Sequence, residues 1–248
     1  MLDALKLSPE VELEDDKDVL GGGGPLKTDI YGLTCEYMYL EQTKSGAVMA
    51  VGSFKEDDSG RSIRFSECVM SKKSGTLKAT YTDKKTKKER PLPGYTKVLH
   101  LAKVIGLGVT DLSGLACEAK VLKLFDFKER KEVPQEKNVL TDFLGAKLKA
   151  GIYLVRESKM EESEPGKWDQ PTGEEFSKND IVKWFNEDGL TIEEMEKGVG
   201  DVPFADQWRE AHAGKERDNR VKDAAPKAGA PQLGGNAPAA GGSTLNFD

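Results

Sequence analysis

Histidine is nearly missing: His100 and His212 are the only two in 248 residues. A histidine-rich metal site is therefore excluded, and neither a Ser-His-Asp nor a Cys-His set can be assembled around positions so placed. Cysteine is scarce as well. Cys35, Cys68 and Cys117 are odd in number, far apart and without CxxC spacing. They are expected to be buried thiols in a reducing compartment, neither disulfides nor zinc ligands. Long apolar runs are absent, since no stretch approaches the roughly 18–20 residues of a membrane span. The acidic N-terminus does not resemble a signal peptide, so the expectation is a cytoplasmic chain with no membrane partner. Nucleotide-binding motifs are also wanting: Gly21–Gly24 is followed by no Gly-Lys-Ser/Thr and reads as a hinge.

What the chain does have is charge, at 32% of residues with a net of −6, and that charge is segregated. Between Ser71 and Lys97 stand nine basic residues: Lys72, Lys73, Lys78, Lys84, Lys85, Lys87, Lys88, Arg90 and Lys97. Only Asp83 and Glu89 oppose them, so the stretch carries +7 and the remainder −13. Such separation costs self-repulsion and is best explained by a polyanionic partner. Tyr81 and Tyr95 are interleaved with the cations, and Phe65 lies just upstream. Cations that track phosphates, beside rings on which bases stack, are what a single strand of nucleic acid needs. The plainer alternative is a lysine-rich hairpin that only keeps the protein soluble.

Around this stretch the hydrophobic period is two. Tyr31, Leu33, Cys35, Tyr37 and Tyr39 share one strand face, and turns at Lys44–Gly46 and Asp57–Gly60 lead into strands over Ala47–Phe54 and Ser62–Val69. Three strands with short turns predict an antiparallel meander, with Tyr31 in the core and Tyr37 and Tyr39 as further stacking candidates. Helical spacing of Val98, Leu101, Ala102 and Ile105 predicts a helix over Thr96–Leu107, stopped by Gly106 and Gly108, with His100 on its surface. Further strands are expected at Ala119–Lys128, Ala146–Arg156 and Glu175–Phe185, with a polar loop over Glu161–Gly173. In the second of these, Lys147, Lys149 and Tyr153 share the face opposite the apolar one and join the candidate contacts. Thr191–Glu194 fits a capping box, and Pro203 opens a helix whose Phe204 and Trp208 form a docking edge.

This order of elements predicts a mainly β fold, an OB-type five-stranded Greek-key barrel with an added strand or hairpin. A helix follows the third strand, and short helices and a disordered tail close the chain. The expected organisation is an acidic flexible arm over 1–24, the nucleic-acid-binding barrel over 25–188, a helical extension over 189–222 and a tail over 223–248. In the tail, Ala, Gly and Pro supply 15 of the 25 residues from 224 onward, too little apolar surface to offset ordering entropy. Its tip, Leu245, Phe247 and Asp248, reads as a partner-binding end. Two other readings stay open. Asp111 with Glu118 and Lys120 imitates a Mg²⁺-dependent nuclease pattern, and the two tails would also suit a protein-interaction scaffold.

Three motifs add a resemblance. GGGG-x-L-x-(S/T)-D-I-Y at Gly21–Tyr31, YTDKKTKKERPLPGY at Tyr81–Tyr95 and VLTDFLGAKLKAGI at Val139–Ile152 together resemble phage-encoded single-stranded DNA-binding proteins of the OB-fold kind. The resemblance spans roughly Gly21 to Lys222. It implies coating of exposed single strands in phage DNA replication or recombination, in the host cytoplasm, with neither catalysis nor a cofactor. It also implies that a tail ending in an aromatic and an acid, here Phe247 and Asp248, recruits replication or recombination proteins.

Overall fold

Period-two patterning and turn chemistry set out the first three strands. β1 (Asp29–Gln42), β2 (Val48–Glu56) and β3 (Ser62–Lys73) form the expected antiparallel meander. The computed structural model describes residues 24–73, 75–126, 128–164 and 167–221. The acidic arm before residue 24 and the tail, with Leu245, Phe247 and Asp248, lie outside the described residues.

β1 organises the sheet. It pairs with β2 along most of its length, while its other edge is divided. Asp29–Thr34 meets β9 (Lys147–Glu164), and Tyr39 and Leu40 meet β8 (Lys131–Leu140), which pairs in turn with β7 (Cys117–Asp126). The strand order is β10-β9-β1-β2-β3-β4, with β10 at Lys167–Phe185 and β4 at Thr76–Lys78. The short β11 (Glu216–Asp218) adds to β9 in parallel. The fold is thus mainly β, as expected.

The sheet curls without closing. β3 and β10 exchange no backbone ladder; instead Trp184 of β10 packs on Phe65 of β3, ring centroids 5.6 Å apart. One reason is visible at the seam. The Asn179 side chain of β10 takes both the N–H and the carbonyl of Leu26 at 2.9 Å, and Arg61 donates to the Gly24 carbonyl at 3.0 Å. Segment 24–26 thus lies where part of a closing ladder would run. A cleft of about 740 Å³ is left between the two edges, lined by Arg64, Ser66, Ser177 and Lys178 among others. The expected OB-type five-stranded barrel is thus seen only as an antiparallel, curled sheet, and among the described residues no closed barrel is found.

One interior is filled by Leu33, Cys35, Met38, Phe54, Ile63, Phe65, Leu148, Ile152 and Trp184, and is plugged by α1 (Pro93–Val104). Proline in its first turn costs α1 no hydrogen bond, and Val98, Leu101, Ala102 and Val104 face inward. α1 comes so close to β3 that a Cβ at Gly94 would collide with the Cys68 carbonyl oxygen. Burial lifts the Cys35 thiol to about 12, with Glu36 adding to the shift. Cys68 is half-buried and Cys117 exposed, so only one of the three expected buried thiols is one.

A β-bulge between Cys35 and Tyr37 resets β1. Leu33 and Cys35 point inward before it, Met38 and Leu40 after it, so Tyr37 and Tyr39 turn to the outer face. The single face expected for all five residues is therefore split. Tyr31 packs against the interior as expected, its hydroxyl donating to the Lys27 carbonyl at 2.9 Å. Outside, the β7–β8 hairpin lays Leu124 and Val139 over Tyr39 and Val51. On the far outer side, α3 (Phe204–His212) docks Trp208 beside Ile30 and Phe185, only 2.9 Å from where a Cβ of Gly151 would stand. The Thr191–Glu194 capping box opens α2 (Ile192–Lys197) as expected. The polar loop expected over Glu161–Gly173 is instead the distal part of the long β9–β10 ribbon, exposed along most of its length.

Glu56 stiffens the β2–β3 turn. Although 2% exposed, its carboxylate accepts N–H bonds from Asp58 at 3.1 Å and Ser59 at 2.7 Å, and the Ser59 hydroxyl also donates to it. Burial alone would raise its pKa; the bonds from Ser59 and Asp58 and the Arg61 charge prevail and hold it below the usual value. The folded state thus binds this proton less readily than the unfolded chain, whose glutamates titrate near about 4.3. The stabilisation is complete above that pH and fades as pH falls through the depressed folded value. Glu56→Gln is expected to cost about 1–3 kcal/mol at neutral pH. Melting curves of both proteins between pH 7 and pH 3 should converge on acidification.

Candidate nucleic-acid interface

The basic stretch folds into two successive hairpins. β3 and β4 pair Ser71 with Lys78 and Lys72 with Leu77; Lys73 closes β3, and Lys72 and Lys78 are exposed. Next come β5 (Thr80–Thr82) and β6 (Glu89–Pro91), a two-stranded sheet of their own. Tyr81 stands directly opposite Arg90, and Tyr81 is 41% exposed. The loop between these strands carries Lys84, Lys85, Lys87 and Lys88, all exposed. Asp83 builds that loop. One carboxylate oxygen accepts from the N–H groups of Lys85 at 2.8 Å and Thr86 at 2.7 Å, and the Lys87 N–H donates to the Asp83 carbonyl at 2.9 Å. These bonds depress the Asp83 pKa, that from Thr86 foremost. Arg90 lies 3.7 Å from the same carboxylate.

Lys87 has φ 57°, a left-handed conformation that glycine or asparagine adopts at least cost. The strand ends therefore hold the loop in one shape, with four ammonium groups projecting and none of the four in a described ion pair. Chemically, this is a comb of cations beside an exposed ring.

The outer sheet face supplies a second aromatic element. Tyr37 and Tyr39 stack at 5.9 Å with 28° between their planes, and Lys137 of β8 lies 5.1 Å from the Tyr39 ring centre. Across β2, Ser53 connects the register of Tyr37 to that of Arg64, which is exposed on the same face. Tyr39 is buried while Tyr37 is half-exposed, so Tyr37 is the ring a base can reach. Burial, then Glu41, pushes the Tyr39 phenol up, and the Arg64 charge acts against them. Arg64 and Lys137 are not among the contacts expected from sequence. Alternation with Ile63 and Phe65 would have placed Arg64 outward; Lys137 sits on β8, a strand the hydrophobic pattern does not mark.

No protein-family model, curated protein or solved structure matches this chain.

Other expected contacts fall elsewhere. Phe65 is 4% exposed and wedged against Phe54 and Trp184, so it is a core residue and no base-stacking ring. Tyr95 sits in the first turn of α1, where its hydroxyl accepts the Leu112 N–H at 3.0 Å and ties the helix to the following turn. Tyr153 is covered by α3 and β11. Its hydroxyl lies 2.7 Å from His212 Nδ1, its ring meets Trp208 edge-on, and the Arg217 guanidinium caps it at 4.3 Å. Lys147 is exposed on β9, while Lys149 lines a separate cleft with Asp188 and Arg209.

The nuclease pattern is not assembled either. Asp111 caps its own turn by accepting from Ser113, and Glu118 pairs with Lys120 at 3.3 Å on the exposed β7. Among the described residues, no group of three or more His, Cys, Asp or Glu side chains is placed to hold a metal ion.

Proposed function

We propose that this chain is a sequence-tolerant single-stranded DNA-binding protein whose open, curled sheet is an OB-type framework. The observation that carries the reading is the β5–β6 hairpin, with four exposed lysines on a loop fixed by Asp83 and an exposed Tyr81 beside Arg90. Lysines neutralise phosphates and release counterions, and an aromatic face accepts any base, so the pair binds a strand without reading its sequence. Tyr37, with Arg64 two strands away on the same outer face, suits a second stacked base. Coating of exposed strands in phage replication or recombination, with partner recruitment through the tail tip, is the role in which such a protein serves. It needs no cofactor and performs no catalysis.

Titrating fluorescent single- and double-stranded oligonucleotides at several salt concentrations tests the reading. Single strands are expected to bind more tightly, with an affinity that falls steeply as salt rises. Tyr81→Ala is expected to weaken single-strand binding by about 1–3 kcal/mol, the worth of one stacked base. Its melting temperature should match that of the parent, because Tyr81 is exposed and belongs to none of the core clusters. Equal affinity of the two proteins would remove Tyr81 from the interface, and negligible binding at physiological salt would return the chain to the scaffold reading.

A further inference from the structure

The lysine tip is built twice. The pattern Asp-x-Lys-x-(Lys/Arg)-Lys-Glu occurs at Asp83–Glu89 and again at Asp126–Glu132, in the turn of the β7–β8 hairpin. Asp126 repeats the work of Asp83, one carboxylate oxygen accepting from the N–H groups of Lys128 at 2.7 Å and Glu129 at 3.2 Å. The fifth residue is basic and left-handed in both tips, with φ 57° at Lys87 and 52° at Arg130. Among the described residues these are the only non-glycine positions with positive φ. A turn selected for shape alone would place glycine or asparagine there, since other side chains crowd the backbone. Two hairpins that accept this strain, each with a long cation at the same place, point to a use for the cation.

We infer that the β7–β8 hairpin is a second phosphate-binding finger, with Lys128 and Arg130 contacting the backbone of the bound strand. The inference rests on the single-strand reading above. Its placement fits, because the hairpin packs over Tyr39 and Val51 and so rises from the face that carries Tyr37 and Arg64. Lys131 is not assigned a phosphate, being held by Glu129 at 3.0 Å. Phe125, 52% exposed at the end of β7, adds ring surface beside the finger.

The test compares Arg130→Gly and Lys128→Ala with the parent in salt-dependent titrations of an oligo-dT single strand, with melting curves alongside. Arg130→Gly should melt higher, because the left-handed strain is relieved, yet bind more weakly. Its plot of log affinity against log salt should be shallower by about 0.7, one phosphate contact. Lys128→Ala, which leaves the turn backbone unchanged, should flatten the slope by a similar amount without changing the melting temperature. Unchanged slopes in both variants, where alanine at the four Lys84–Lys88 lysines does flatten it, would overturn the second finger and leave the single-strand reading standing. A parent protein that does not bind oligo-dT would remove that reading and the finger with it. A lower melting temperature for Arg130→Gly would remove the strain that motivates the assignment.

Discussion

Replacing Lys84, Lys85, Lys87 and Lys88 together by alanine is expected to produce the largest loss of single-strand affinity available in this chain. All four side chains are exposed on one short loop, and their carrier strands pair only with each other. The loop is shaped by Asp83 and backbone groups, so truncating the lysines leaves its hydrogen bonds in place. Every lysine that no longer neutralises a phosphate should lower the salt slope by about 0.7, hence about 2.8 for four. Affinity should fall most at low salt and converge with the parent at high salt, where counterion release no longer contributes. Circular dichroism and melting curves should be unaltered. A folded variant with the parent slope would show that the hairpin does not touch the strand.

Phe65→Ala is expected to have the opposite profile, with the largest loss of stability and no specific effect on binding. The ring packs edge-on against Phe54, centroids 6.2 Å apart, and against Trp184, centroids 5.6 Å apart. The second contact joins β3 to β10 where no backbone ladder does. Truncating a buried phenylalanine typically costs about 3–5 kcal/mol, because the surrounding core relaxes only partly into the space left behind. Chemical denaturation should show a lower midpoint. Salt slopes measured below the transition should equal those of the parent. A variant that is stable but no longer binds single strands would restore Phe65 to the interface.

The contrast between Phe65 and Tyr81 shows where the sequence was legible. Both rings sit beside the basic run in the chain, and proximity in sequence does not reveal which face a strand residue takes. Alternation does reveal it for Phe65, whose neighbours Arg64 and Ser66 are polar, and it points inward. For Tyr37 and Tyr39 alternation misleads, because the bulge after Cys35 reverses the faces and has no glycine to mark it. The meander, α1 and the Trp208 edge were readable because each buries one regular face, and the capping box because its Thr-x-x-Glu spacing is local. β8 was not, because Pro134 and its charges dilute the pattern. The distal β9–β10 ribbon was unreadable for a related reason: both of its faces meet solvent, so neither has to be apolar. The second tip hides in composition because Glu129 and Glu132 offset its cations, and it comes out when its sequence pattern is set beside the Asp126 hydrogen bonds and the backbone angle at Arg130.

The divided edge of β1 also sets a timetable for synthesis. As the chain leaves the ribosome, β1, β2 and β3 can pair in succession through short turns, each contact local in sequence. Asp29, however, waits for Ile152, and the inner side of the meander stays open until β9 arrives. Pairings this distant form late, since loop-closure entropy must be met before they gain anything. Through that interval Leu33, Met38 and Phe54, which end fully buried, have only α1 to cover them. The nascent meander is the stage at which aggregation threatens most, and rapid formation of α1 is its protection.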